Sequence, residues 1–330
     1  PPTLAVLVLR LLGDRDLALW FPAAAGATAL LLIALTAIAT WRLGERAIAG
    51  LGTRWIEAGG RGGEARVTRV AAPAAMLLVL AASAGAILAL AIWSLAGPWR
   101  FPEALPAAFT TLTWSRQISA IAEPALTTLT VATLSTLIAL ALTLGCLEAE
   151  SRQAWRPGRR ALAVLWLPLL VPQLAFLFGW QVLLVRAGLD GTVFAVVWAH
   201  LLFVMPYVFL SIADPWRAMD PRHARTAASL GASPWRVFLM VKLPLAARPA
   251  LAAAAVGFAV SAGLYLPTLF AGAGRVTTLT TEAVTLAAGA DRRVLGVFAT
   301  LQAGLPLLAY ALAVVVPALA FRERRGMRVG

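Results

Sequence analysis

Cysteine, lysine, histidine and acidic residues are all scarce in this chain, and each scarcity removes a class of function. The single cysteine, Cys146, cannot build an internal disulfide framework or a multi-cysteine metal site, and at the end of an apolar run its expected role is packing. Lys242 is the only lysine, and no Gly-x-x-x-x-Gly-Lys-Ser/Thr phosphate loop surrounds it, so the chain does not hold ATP in that manner. The two histidines, His200 and His223, fall in an apolar run and in a charged connection, without the spacing of a zinc site. Glu148 with Glu150 reads as the solvated end of an apolar run, and Asp214 and Asp220 read as helix-start residues. No paired-carboxylate or serine constellation is then left for a membrane-embedded transferase. Charged residues make up only 13% of the 330 positions, about half the share of an ordinary soluble domain.

Apolar surface is what the chain has in excess: 61% of it is hydrophobic, and the mean hydropathy is +0.83. A helix crossing the roughly 30 Å hydrocarbon layer needs about 20 apolar residues, because its backbone groups must all be satisfied within the segment. Seven runs qualify, at 17–41, 70–99, 125–147, 161–185, 191–213, 249–274 and 294–321, and none contains Asp, Glu, Lys or Arg. The expected fold class is therefore all-α, a polytopic membrane protein with seven transmembrane helices in a lipid bilayer. The absence of an intramembrane carboxylate or arginine argues against a proton- or sodium-coupled carrier, where ionisable groups do the coupling.

Placement of the basic residues tests this count. Lys and Arg are retained in short cytoplasmic connections. The connections 42–69, 148–160 and 214–248 and the tail after 321 hold six, four, six and four of them. The alternate stretches 1–16, 100–124, 186–190 and 275–293 hold two, two, one and three. One side thus carries 20 and the other eight, in strict alternation, which puts 42–69, 148–160, 214–248 and the C-terminus in the cytoplasm. The same asymmetry accounts for the net charge of +13 without a nucleic-acid partner.

The connection 42–69 includes Gly59-Gly60-Arg61-Gly62-Gly63-Glu64 and reads as a flexible cytoplasmic linker. Before it, residues 1–41 hold one span, the closing helix of a preceding bundle. After it, residues 70–328 hold six spans with both ends inside. The sequence begins Pro-Pro without an initiator Met, so it is expected to be part of a longer chain with two similar bundles.

One cytoplasmic connection, 214–248, has a sharply ordered pattern. Asp220 followed by Pro221 supplies an N-cap and a first-turn proline, and helix formers then run to Leu230. Gly231 suits the positive-φ end of a helix, Ser233 caps a second helix, and Pro234 opens it. Trp235, Phe238 and Leu239 fall on one helical face and predict an exposed, partly apolar knob.

This segment resembles the signature of the binding-protein-dependent permeases of type I ATP-binding-cassette importers: Glu-Ala-Ala, three residues, Gly, nine residues, then Ile-x-Leu-Pro. Gly231, the nine residues 232–240, and Val241, Lys242, Leu243 and Pro244 stand at that spacing, and Ala227 matches the second alanine. Arg225 and Thr226 replace the Glu and the first Ala, while Ala232, Ser233, Pro234, Trp235 and Arg236 follow the glycine. The resemblance implies that the last six spans form a permease bundle and that 214–248 is the loop whose coupling helix docks into a cytoplasmic ATPase subunit. It also implies an ATPase dimer holding ATP and Mg, no cofactor in this chain, a periplasmic solute-binding protein, a second permease bundle and a bacterial inner-membrane location. Among such permeases the fused two-bundle type that imports thiamine or iron(III) is the most similar, through the order of span, linker and six-span unit and through the Leu-Pro-Thr-Leu-Phe-Ala-Gly-Ala-Gly run at 266–274.

Polar residues inside spans are costly and often mark a pathway. Gln173, Gln181, His200, Tyr207, Ser261, Tyr265 and Thr268 are the candidates for a translocation path, each with interhelical hydrogen bonding as its alternative role. The rival readings are a membrane-embedded transferase, which lacks a catalytic cluster, and a channel that is not driven by ATP, which has no need of an ordered cytoplasmic knob.

Overall fold

The computed structural model describes residues 2–14, 16–60, 66–99, 103–153, 156–289 and 291–320. Among them the chain is helical, with a single isolated bridge pairing Ala96 and Phe109. The helices are α1 (Leu4–Leu12), α2 (Trp20–Glu57), α3 (Arg66–Leu95), α4 (Leu112–Gln153), α5 (Arg159–Leu170), α6 (Gln173–Arg186) and α7 (Val193–Arg217). Then come α8 (Pro221–Ser229), α9 (Pro234–Val237), a π-helical turn at Phe238–Lys242, α10 (Leu243–Leu245), α11 (Ala247–Gly263), α12 (Leu266–Gly272), α13 (Leu279–Ala287) and α14 (Arg292–Ala320).

Five helices (α2, α3, α4, α7 and α14) are long and apolar enough to cross a bilayer singly, and two bent pairs bring the number to seven. The expected run 161–185 is one of those pairs. It is broken at Val171 and Pro172, and α5 and α6 diverge by 95°. Pro172 lacks the N–H that would continue the ladder and disfavours the helical conformation of the residue before it. The expected run 249–274 is likewise interrupted at Leu264 and Tyr265, between α11 and α12. Pro206 and Pro306, by contrast, are carried inside α7 and α14.

The stretch expected to be a linker is helical as far as Glu57. Helix α2 has 38 residues, about 57 Å at 1.5 Å per residue, far more than the ~30 Å hydrocarbon layer requires. Gly44, Gly50 and Gly52 weaken that helix without ending it; the end comes at Gly59, whose φ of +78° reverses the chain. The remaining Gly-Arg run, 61–65, lies outside the described residues, as does the tail 321–330. Two connections also contain unforeseen helices, α1 within 1–16 and α13 within 275–293.

At the centre of the bundle α4, α7 and α11 pack on one another. Helix α14 covers α11, and α3 covers α14; α12 joins α6 to α7, and the α1–α2 hairpin rests on α6 through Val8, Ala27, Leu174 and Leu177. Lipid tails are as apolar as leucine, so these contacts depend on close approach at small residues. Gly257 of α11 faces Val208 and Thr136, and a Cβ built there would lie 2.7 Å from a Val208 methyl. Gly296 of α14 lets α3 approach so closely that a Cβ would meet the Ser94 backbone nitrogen at 2.7 Å.

The two faces of the bundle follow the charge alternation. Connections 148–160 and 214–248 meet through Glu148, Glu150, Arg217 and Lys242. On the opposite face Arg275 pairs with Asp190, and the Arg292 guanidinium lies over the Trp93 ring, 5.5 Å from its centroid. Cys146, expected to pack, is exposed on the outside of α4.

Replacing Gly257 by Leu is expected to overpack the α4–α7–α11 contact and cost about 1–3 kcal/mol, read as a lower thermal midpoint of the detergent-solubilised protein. Gly263→Leu, at a position with no atom within 4 Å of a built Cβ, is the control and should change the midpoint little.

Candidate functional site

The ordered segment after α7 folds as its local chemistry dictates. The Asp220 carboxylate accepts from the Arg222 N–H at 2.8 Å, and Pro221 opens α8. Helix α8 ends at Ser229 with Leu230 as its C-cap, and Gly231 takes φ +84°, where a side chain would be strained. The Ala232 N–H then returns to the Ala227 carbonyl at 3.1 Å, the link that closes such a helix end. Ser233 caps the next helix by accepting from the Arg236 N–H at 3.3 Å, and Pro234 fills its first turn. Thr226, Ser233, Pro234 and Trp235 are exposed, with Ala227 and Ala232 half-buried.

The exposed tip is narrower than the helical-face argument predicts. Leu230 is 82% exposed and Trp235 64%, but Phe238 is buried. The Phe238 ring turns inward against Trp216, 6.0 Å between centroids, and stacks under Trp235 at 5.5 Å. Leu239 is half-buried in the same cluster. Trp235 and Phe238 do share one helical face, but Trp216, from the end of α7, covers Phe238 and leaves Trp235 at the rim. Leu243 and Pro244 follow in α10, after which the chain breaks at Ala246 and enters α11 at 75°. Arg225 and Val241 line a cavity of 590 Å³ enclosed by α8, α10 and the ends of α4 and α7.

Glu148 and Glu150 are not a solvated helix end. Their side chains are 10% exposed, and each has cationic partners. Lys242 donates to Glu148 at 2.7 Å and to the Ser151 hydroxyl at 2.8 Å, and Arg152 donates to Glu148 at 2.7 Å. Arg217 grips Glu150 with two bonds of 2.9 Å each. Arg152 also reaches the Pro234 carbonyl at 3.1 Å. Asp214, expected at a helix start, lies instead in the last turn of α7 with its side chain 95% exposed. Sequence reasoning passed over the Glu148 cluster because Lys242 stands 94 residues from Glu148 and Arg217 stands 67 from Glu150; the one available signal was that Lys242 is the sole lysine and lies inside the motif.

The proposed path residues divide into groups. His200, Ser261 and Thr268 form one buried hydrogen-bonded chain, with His200 Nδ1 2.8 Å from Ser261 Oγ and Nε2 2.8 Å from Thr268 Oγ1. Ser135 extends it, 3.1 Å from Ser261. Thr268 spends its own proton on the Leu264 carbonyl at 2.9 Å, so Nε2 donates to Thr268, and in a neutral imidazole Nδ1 then accepts from the Ser261 hydroxyl. Gln173 and Tyr207 meet elsewhere, lining a 360 Å³ hollow at the α5–α6 break together with Pro172, Phe203 and Leu264. Gln181 and Tyr265 are half-buried and belong to neither group.

His200→Ala is expected to remove the two buried hydrogen bonds that tie α7 to Ser261 and Thr268, at about 0.5–1.5 kcal/mol each, while each hydroxyl keeps its other partner, Ser135 and the Leu264 carbonyl. A fall in the thermal midpoint together with unchanged membrane insertion checks this.

Two comparisons bear on this geometry. The profile of the family described as binding-protein-dependent transport system inner membrane component matches residues 141–322, just over half of the chain, and that range contains the whole segment from Asp214 to Arg248. The inner membrane ABC transporter permease protein YnjC of Escherichia coli (strain K12) is 43% identical over 206 residues, covering 62% of this chain and 39% of that protein. The chain therefore spans about two-fifths of the length of the curated relative it matches. An all-α polytopic fold, the Gly231 turn at the family's spacing and the family match lead to one conclusion: the chain belongs to the binding-protein-dependent inner membrane components, the permease subunits of ATP-binding-cassette transporters.

Proposed function

We propose that this chain is the translocating part of an importer that takes a small solute from a periplasmic binding protein and passes it into the cytoplasm. The observation that carries the reading is the tip at 230–235, an ordered turn with apolar Leu230 and Trp235 held in solvent. Large apolar side chains displayed on a rigid turn are the marks of a docking element. Its exposed charge is of one sign, carried by Arg222, Arg225 and Arg236, with no acidic residue anywhere in 221–248. The occupant of this surface is the ATPase subunit that such permeases require, with ATP and Mg on that subunit. The basic face is then the cytoplasmic one, as is the C-terminus.

Transport in this scheme is a shift between two arrangements of the bundle, biased by the ATPase through differential contacts with the tip. Broken helices near the middle of the membrane are where transporters place their substrate sites. The hollow at the α5–α6 break has that character, so Gln173 and Tyr207 are assigned to the path. His200, Ser261 and Thr268 instead hold α7, α11 and α12 together. A second bundle, from the remainder of a longer chain, completes the pathway.

Gly231→Asp tests the docking assignment. The new side chain would be strained at φ +84° and would project into the open space that the partner is proposed to fill. Co-elution with the ATPase subunit should weaken at least about tenfold, or about 1.4 kcal/mol, with solute uptake lost and membrane insertion retained. Normal uptake by this variant would refute the assignment.

A further inference from the structure

The docking tip has two physical routes into the bundle, and they differ in kind. The covalent route runs through Ala246, where the helix breaks (φ −86°, ψ 5°) and α11 departs at 75°. A change of axis that large keeps the chain from transmitting a push straight along one helix. The second route is non-covalent. It consists of the last turns of α4, where Glu148 binds Lys242 and Arg152 at 2.7 Å each, and Arg152 in turn holds the Pro234 carbonyl at 3.1 Å. Pro234 and Lys242 lie near the two ends of the segment Pro234–Leu245, so the segment is fastened to α4 at both. Two residues further along α4, Glu150 holds the end of α7 through the paired bonds from Arg217.

We propose that Glu148 and Glu150 act as positioning residues that bolt the segment Pro234–Leu245 to the inner ends of α4 and α7, so that the three elements move as one body during transport. This rests on the docking role proposed above and adds to it the route by which movement leaves the tip. Two physical features support it. The carboxylates are 10% exposed and Lys242 17%, so the pairs are little screened by salt and losing one partner strands a poorly solvated charge. And α4 and α7 are the helices that pack most intimately at the bundle centre, next to α11, and α7 carries Tyr207 beside the hollow. Movement delivered to their ends reaches the proposed path directly.

The test uses the whole transporter, permease with its ATPase subunit and binding protein, reconstituted in lipid vesicles. Lys242→Ala and Glu148→Gln should each leave the ATPase subunit bound and hydrolysing ATP, while solute moved per ATP falls by about fivefold or more, the lower end of ordinary coupling between sites. Lys242→Arg, which keeps the cation, should restore the ratio. A merely structural role would lower stability without changing the ratio of transport to hydrolysis. A second variant guards against simple misfolding: Ser151→Cys with Lys242→Cys, in a Cys146→Ser background, should be uncoupled until a short bifunctional thiol reagent bridges the two positions, and coupled afterwards. The inference is overturned if Lys242→Ala transports with the normal ratio, or if the bridge silences transport and so shows that the elements must slide. Loss of ATPase binding in Lys242→Ala also overturns it, because the pair would then belong to the docking surface. If Gly231→Asp still binds the ATPase and transports, the docking role itself fails, and that result is separate from the behaviour of Lys242.

Discussion

In hydrocarbon there is no water to accept a stray hydrogen bond, so each polar group of the bundle has to find its partner inside the protein. Helices satisfy the backbone, and the few polar side chains must satisfy one another. His200 illustrates the constraint: a fully buried imidazole is matched at both nitrogens by hydroxyls from α11 and α12. Thr128 shows it again by accepting the Leu279 N–H at 2.9 Å, across 151 residues of sequence, at the open start of α13. The constraint is not met everywhere. The indoles of Trp20 and Trp180 and the hydroxyls of Thr136, Thr143 and Thr300 have no partner among the described residues, and nothing in the structure accounts for them.

The same constraint explains where irregular backbone occurs. Breaks at 171–172, 246 and 264–265 free backbone groups that a lipid-facing helix could not leave bare. Two of them adjoin packed or hollow interior, since Val171, Pro172 and Leu264 line one cavity. The third lies at the basic face, next to the ionic cluster. Two of the three breaks therefore border the hollow assigned to the proposed path, and the third adjoins the proposed docking element.

Much of the segment 220–234 was legible in the sequence, because its cues are local. Asp220, Pro221, Gly231, Ser233 and Pro234 each act on a backbone within three or four residues of themselves, and each took the role its chemistry predicts. Phe238 was expected in solvent because the segment's own period, which does put it beside Trp235, cannot show that Trp216 from the end of α7 covers it. The reach of α2 was underestimated for a different reason: scattered glycines lower helix propensity by about 1 kcal/mol each without reversing the chain, and only Gly59, at positive φ, did so. Glu148 and Glu150 were read as solvated because acidic residues beside an apolar run usually are. Their burial depends on Lys242 and Arg217, which come from other helices.

By itself, then, the sequence determined the class of protein and the turn that presents Leu230 and Trp235. These follow from composition and from interactions short enough to be read along one strand of text. Which polar residues meet was decided only by the tertiary structure. Ser135 and Ser261 are 126 residues apart and Glu148 and Lys242 94 apart, and whether such groups touch depends on the relative rotation and depth of whole helices. That is set by how small residues such as Gly257 and Gly296 allow the helices to pack, a property of pairs of surfaces that neither segment encodes alone.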